Sequence, residues 1–245
     1  MIRNILILLL GAIIVVGCRK FDWDNPNDGI IKDKEPTSLK QGLVAYYPFN
    51  GNAGDSSGYG RNGQINGAVS ATDRNNKANS AYIFTNSNIA VPIGSSLFDS
   101  SFSVSLWVLS TGFSTYAQYP TILDGENNYF TIQYGINTVT PNIAGFYLTE
   151  SRGVVFGGVG SIVDFTRWNH IVIVYQNGFS YFYVNGFLLN KSSDQTLNRK
   201  MISGSFIVLG NGIQLPQCEF VGKLDDIRIY NRALAQSEIT YLATH

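Results

Sequence analysis

The chain has 245 residues, with 17 Lys and Arg balanced by 17 Asp and Glu, two His and two Cys, a length that fits one folded domain of ordinary size. A formal charge of zero excludes the basic footprint of a nucleic-acid binder, and two cysteines, one of them at the end of an apolar leader, exclude a disulfide framework or a cysteine zinc site. Aromatic residues at 13%, 25 Gly and charged residues at 14% suit many short strands joined by tight turns, because Tyr and Phe favour strands and Gly admits turn conformations.

The first element is a short basic start, Met1-Ile2-Arg3-Asn4, followed by an apolar run over residues 5–16. It is too short to span a bilayer and reads as an export signal. The run ends Val15-Val16-Gly17-Cys18, which resembles the bacterial lipobox: small Gly17 fits the signal peptidase, and the Cys18 thiol takes a diacylglycerol before cleavage. This predicts a signal peptide over 1–17, lipid on Cys18 and a protein anchored in the cell envelope, with Arg19 at the next position compatible with the outer membrane. Residues 19–41 hold ten charged residues in 23, with two Pro. Such a composition cannot bury a core, so 18–41 is expected to be a lipidated tether and 42–245 the domain. The acidic stretch from Phe21 to Asp28 resembles segments that follow the lipidated Cys in exported lipoproteins of some Gram-negative bacteria, or is a plain solvated linker.

Inside the domain the apolar period is two. Phe102, Val104, Leu106 and Val108 share one face of a half-buried strand. The segments 170–175, 179–184 and 187–189 read as consecutive strands joined at Asn177-Gly178 and Asn185-Gly186, dipeptides that accept the positive φ of hairpin turns. Further strands are expected over 43–49, 81–84, 121–123, 129–134, 144–148, 205–209 and 223–230, and a helical pattern appears only over 235–243. No long helix alternates with the strands, so the predicted fold is all-β, an antiparallel two-sheet sandwich with a short C-terminal helix.

Four blocks, GLVAYYPFNGNAGDSSGYGRNG (42–63), FSVSLWV (102–108), WNHIVIVYQNGFSYFYVNGFLL (168–189) and GKLDDIRIYNRALAQSEITYL (222–242), resemble the laminin-G-like, concanavalin A-like jelly rolls of bacterial surface proteins. The resemblance spans nearly the whole domain, and its last block is the most specific. It implies two antiparallel sheets face to face with the first and last strands adjacent. It also implies a module that binds carbohydrate or protein, often with calcium, and is attached to many different enzymes and adhesins; fold alone does not fix function. One departure is visible. Relatives carry Ser or Thr three residues before the helical Glu, whereas this chain has Ala235 before Glu238, so the helix is expected to fray more easily at its start.

Catalytic chemistry is scarce. His170 lies in an apolar strand and His245 is the last residue given, so neither has a triad or metal partner nearby in sequence, and His170 reads as a satisfied core or sheet-edge residue. Asp124 and Glu126 have same-face spacing but bracket Gly125 ahead of Asn127-Asn128, a turn composition. Asp225 and Asp226 are strand neighbours and are expected to face opposite ways. Cys218 reads as a partly buried small residue. The expectation is therefore a protein without enzymatic activity.

Two binding sites are expected. By resemblance, Asp55 and one of Asp225 or Asp226 would be carboxylate ligands of a structural calcium ion, with Asn50 and the carbonyls of 61–63 completing the shell. The alternative is an Asx-turn at Asp55 and a salt bridge from Asp226 to Arg228 or Arg232. The strand faces opposite the core collect Ser103, Ser105 and Trp107; Tyr129, Thr131 and Gln133; Tyr147 and Thr149; and Tyr181 and Tyr183, with Phe113, Tyr116 and Tyr119 at a loop rim. Aromatic faces stack on sugar rings while hydroxyls and amides bond sugar OH groups, so this set suits a glycan. A protein-binding adhesive surface is the other reading of the same rim.

Overall fold

A computed structural model describes residues 34–93, 101–112, 120–125, 131–136, 144–150, 153–154, 163–193, 206–213 and 218–245, and of residues 134–136, 144–150, 153–154 and 192–193 it describes the backbone. The chain divides into Met1–Glu35 and Pro36–His245, and all the strands and the helix described lie in the second unit. Cys18, the expected signal peptide over 1–17 and the acidic stretch lie outside the described residues.

Fifteen strands are seen among the described residues: β1 (Leu43–Tyr47), β2 (Gln64–Asn66), β3 (Val69–Ala71), β4 (Ala81–Phe84), β5 (Asn88–Pro92), β6 (Ser101–Ser110), β7 (Thr121–Gly125) and β8 (Thr131–Ile136), then β9 (Ala144–Glu150), β10 (Gly153–Val154), β11 (Asn169–Gln176), β12 (Phe179–Val184), β13 (Phe187–Ser193), β14 (Phe206–Leu209) and β15 (Gly222–Tyr230). A 3-10 turn, Thr37–Lys40, precedes them and α1 (Gln236–Thr244) follows. They form two antiparallel sheets, an eight-stranded one in the order β13-β12-β11-β6-β15-β4-β3 with β1 also on β15, and a seven-stranded one in the order β10-β9-β8-β7-β14-β5-β2. The first and last strands are adjacent, as the resemblance implied, with Tyr46 opposite Arg228 and Tyr47 opposite Ile227.

The main core lies between the sheets. Phe102, Val104, Leu106 and Val108 of β6 pack there with Ile171 and Ile173 of β11, Ile227 and Ile229 of β15, and Ile89, Leu123, Ile132 and Leu209 of the facing sheet. Period two puts one side of each strand into this layer, where each large apolar side chain contributes about 1.5–3 kcal/mol. Both Asn-Gly turns adopt positive φ at both residues, the twist that joins right-handed strands tightly.

A second cluster covers the outer face of the eight-stranded sheet: Leu39, Val172, Val174, Tyr230, Leu234, Ile239 and Leu242. Two expectations change because of it. The packed unit begins at Pro36 and not at Gly42, since Leu39 is fully buried and the Arg232 guanidinium donates to Ser38 O and Gln41 O, each at 2.7 Å. Strand β6 is buried on both faces instead of one, with Ser103 Oγ donating to Arg232 O at 2.9 Å and accepting from Leu234 N at 3.0 Å.

The start of α1 is also firmer than expected. Ala235 makes no side-chain cap bond, but the Glu238 carboxylate accepts from Ala235 N at 2.8 Å and takes both arms of Arg232 at 2.8 Å. Burial would raise the Glu238 pKa, yet these bonds hold it at about 2. A charge-assisted fork thus does the work of the missing Ser or Thr.

Candidate functional site

The acidic pair of β15 sits where that strand changes partner, from β4 at Leu224 to β1 at Ile227. The pairing with β6 slips between Asp225 and Arg228, and Asp226 takes φ +46°. This bulge cancels the alternation of a regular strand, so the expectation of opposite faces fails. Both carboxylates receive the same guanidinium: Arg74 Nη1 reaches Asp225 Oδ2 and Nη2 reaches Asp226 Oδ2, each at 2.6 Å. Their shared partner is Arg74, in the turn between β3 and β4, a partner the sequence did not suggest, and Arg228 lies over the Tyr46 ring at 4.1 Å. Tyr46 Oη donates to Asp226 Oδ1 at 2.9 Å. Burial first, then the Asp226 charge, push Asp225 up to about 7 against the pull of Arg74.

The proposed calcium ligands are engaged elsewhere. Asp55 Oδ1 accepts from Tyr46 N and Ser57 N, and Oδ2 accepts from Ser57 Oγ and Arg61 N, all between 2.8 and 3.0 Å. These bonds outweigh burial and lower the Asp55 pKa. Asn50 Oδ1 accepts from Lys77 Nζ at 2.6 Å, and Arg61 O accepts from Tyr47 Oη at 2.6 Å. A carboxylate ringed by N–H and O–H donors, an amide oxygen on an ammonium and an acidic pair on a guanidinium do not fit a calcium ion, which needs six to eight free oxygens. Among the described residues no group of three or more His, Cys, Asp or Glu could hold a metal. The Asx-turn reading of Asp55 is the one the geometry supports, through its bond to Ser57 N.

His170 and Trp107 stand directly opposite each other on β11 and β6, and Asp225 stands opposite Trp107 on its other side. His170 has a partner that sequence distance concealed, Ser105 Oγ at 2.8 Å from Nε2, while its Nδ1 has none. It is thus half satisfied. Burial, reinforced by Arg74 and Arg228, lowers its pKa to about 3. A neutral imidazole and a serine that are each 1% exposed, with no carboxylate on Nδ1, form a structural pair and not a nucleophile.

The expected sugar-binding face is divided between the two sheets, because alternation reveals a strand's faces but not the sheet it joins. Trp107, Tyr181 and Tyr183 belong to the eight-stranded sheet. Trp107 has the Arg74 guanidinium over its ring at 4.7 Å and the His170 ring at 5.2 Å, while Tyr181 and Tyr183 pack on the cluster under α1. Gln133 and Tyr147 belong to the seven-stranded sheet. Tyr116, Tyr119 and Tyr129 lie outside the described residues, as do Phe113 and Glu126.

In that second sheet the register assembles a polar outer face across three strands. Gln133 stands between Thr121 and Tyr147, and Thr131 between Asp124 and Thr149. Gln133 Nε2 donates to Thr121 Oγ1 at 3.0 Å. Asp124 lies within β7, not in a turn, and is 2% exposed; it accepts from Thr131 Oγ1 at 2.6 Å and Ile213 N at 2.8 Å. Burial raises its pKa despite those bonds. Beside it, burial and then the Asp124 charge push up the pKa of half-buried Cys218. Thr121 was missed in the sequence because only a cross-strand partner gives it meaning. Thr121 and Thr131 are 1% and 4% exposed and bonded within the row, so of its described side chains half-buried Gln133 is the one that reaches solvent, with the carboxylate committed to its own scaffold.

These features place the chain among known folds. Domain 4 of AbnA, a GH43 extracellular arabinanase from Geobacillus stearothermophilus, solved with arabinotriose, superposes with TM-score 0.62 at 24% identity, covering 82% of this chain and 98% of that one. The binding domain of Paraclostridial Mosquitocidal Protein 1 gives 0.62 at 21% identity over 84% of this chain, and that of botulinum neurotoxin serotype D gives 0.62 at 16% over 84%. The chain spans about half of each of these two toxin domains, 52%. No curated protein matches it. The family model described as the Concanavalin A-like lectin/glucanases superfamily, Laminin_G_3, matches residues 84–240, and the chain, with its two antiparallel sheets and adjacent first and last strands, belongs to that family.

Proposed function

We propose that the domain is a glycan-binding module without catalytic activity, held at the bacterial cell envelope by lipid on Cys18. The observation that carries the binding reading is the row of hydroxyl, amide and aromatic residues set in register across β7, β8 and β9, with Gln133 between Thr121 and Tyr147. The arabinotriose complex of the structurally similar arabinanase domain supports the ligand class. Asp124 supports a non-catalytic reading, since both its oxygens accept hydrogen bonds from its own chain. Titrating the full chain with a panel of neutral oligosaccharides that includes arabinotriose should reveal binding, weakened about tenfold by Gln133→Ala or Tyr147→Ala, the loss expected for one hydrogen-bonding or stacking group. A blank panel, or two variants that bind like wild type, overturns the assignment. A protein from envelope extracts that sugars fail to displace would move it to adhesion.

The anchor is supported by the lipobox-like sequence. Among the described residues no helix is long and apolar enough to cross a membrane. Two or three acyl chains at about 0.8 kcal/mol per buried CH₂ give effectively permanent attachment. Cys18→Ala should therefore appear in the soluble fraction after alkaline extraction, while wild type stays with the outer membrane. A variant retained like wild type would reject lipidation.

A further inference from the structure

On the outer face of the eight-stranded sheet, the β12–β13 turn and α1 border a half-open cleft of about 300 Å³. That volume is at the lower end for small-ligand sites, roughly 300–1,000 Å³. We infer that it is a second saccharide subsite, taking a neutral sugar unit against Phe187. The inference rests on the glycan reading for its ligand class, but on none of the same residues.

The walls are built before any ligand arrives. Asn185 and Gly186 take φ +50° and +85°, and a Cβ on Gly186 would lie 3.4 Å from Ala243 Cβ, so the turn lies close against the helix. Gln236 Nε2 donates to Gly186 O at 2.8 Å, and Asn185 is fixed from behind by His170 N at 2.9 Å and Asn169 Oδ1 at 3.0 Å. A rigid pocket loses little entropy on binding.

The chemistry of the lining selects the ligand. None of the residues around the cleft is ionisable, which leaves a charged ligand without a counter-charge. Thr240 Oγ1 donates to Gln236 O at 2.9 Å and Thr244 Oγ1 to Thr240 O at 3.0 Å. Thr240 Oγ1 also accepts from Gln236 Nε2 at 3.2 Å, and Thr244 Oγ1 stands 3.1 Å from His245 Nδ1, so each hydroxyl keeps one oxygen lone pair to accept from a ligand. A sugar presents donors in its hydroxyls and an apolar face in its C–H groups. Phe187, 75% exposed, and Leu188, 48% exposed, supply the apolar contact, and an exposed ring gains most by stacking on such a face. The small volume favours one sugar unit over a protein segment.

The test uses the isotope-labelled full chain titrated with arabinotriose, xylotriose, cellotriose and laminaritriose, read by amide chemical shifts. With at least one of them, saturable shifts are expected at Asn185, Gly186 and Thr244. Phe187→Ala should weaken that site by at least about tenfold, a loss of roughly one stacked ring, and leave shifts around Gln133 unchanged. Phe187→Tyr, which keeps the ring, should retain binding. Because Phe187 is exposed, neither variant should unfold the chain. Shifts confined to residues 121–149 would overturn this inference while the sheet-face reading stands; shifts confined to the turn and α1 would support it while that reading falls. No shift with any of the four, or unchanged binding in Phe187→Ala, overturns it. So does a protein partner lost in Phe187→Ala and indifferent to all four sugars.

Discussion

Arg74→Met is expected to lower stability by about 3 kcal/mol at pH 7.5, and by more as the pH rises above that. Losing one member of a buried ion pair costs roughly 3–5 kcal/mol, since the partner charge stays buried. The lower end applies because Asp226 is 21% exposed, against 12% for Arg74 and 2% for Asp225. The pH sign follows from Asp225, whose folded pKa of about 7 stands above its ordinary 3.8. A raised carboxyl pKa means the folded state holds a proton that the unfolded state has released, so stability from this group falls as pH rises from about 4 through 7. Arg74 is the group that pulls this pKa down; without it the folded pKa climbs further and the deficit of the variant grows above pH 7. For a domain of this size the loss corresponds to roughly 6–12 °C in Tm. Arg74→Lys should recover part of it, because a point charge cannot serve two carboxylates as a fork does. The same melts should be indifferent to EDTA and to added calcium, given that Arg74, Lys77 and the donors around Asp55 already meet the acidic and amide oxygens. An Arg74→Met protein that melts with wild type at pH 7.5 would refute the clamp, and a wild-type Tm lowered by EDTA would restore the calcium site.

How far the sequence carries depends on the range of each interaction. Alternation exposed β6, β11 and β12 with their core-facing residues, and the Asn-Gly pairs marked the turns, because those signals are local. Strands β2 and β3 have three residues each, all exposed in β2 and two of three exposed in β3; with so little to bury, they have no pattern to read. The bulge at Asp226 arises because β15 exchanges β4 for β1 along one edge, a property of three strands at once. Arg74 lies 151 positions from Asp225, so a cation in a polar turn carried no hint of its carboxylates. The glycan face failed in the same way. Period two separated inner from outer residues correctly in β6, β8 and β12, yet sheet membership, which divides Trp107, Tyr181 and Tyr183 from Gln133 and Tyr147, is set by tertiary pairing. The helix start did carry a readable sign, an Arg232 six positions before Glu238, since a guanidinium just ahead of the first turn can fork onto a carboxylate within it.

Gly210→Ala is expected to cost about 3 kcal/mol or more, and the loss should extend to sugar binding. Gly210 closes β14 with φ +86°, and a Cβ built there would lie 2.1 Å from Phe84 Cδ1 and 2.7 Å from Cγ. Left-handed backbone costs an L-residue roughly 1–2 kcal/mol, and forcing a methyl into a filled core adds about 1–3. Relief is hard to find, since Phe84 is fully buried and its ring packs 6.3 Å from that of Phe220. Gly210 also ties the two sheets together: its N–H donates to Ile122 O at 2.8 Å in the seven-stranded sheet, and its O accepts from Phe220 N at 3.1 Å on the approach to β15. Displacing it pulls on Ile213, whose N–H holds Asp124 Oδ2 beneath the Gln133 face. Unlike that of Arg74→Met, the steric part of the loss should be flat between pH 5 and 8, because the clash is with the Phe84 ring, which does not titrate. Thermal melts of Gly210→Ala, Phe84→Leu and the double variant measure the steric part: the double should lose less than the sum by about 1 kcal/mol or more, as coupled neighbours do. Strict additivity would place the damage in the backbone alone, and a single variant as stable as wild type would show that Phe84 yields where the packing says it cannot.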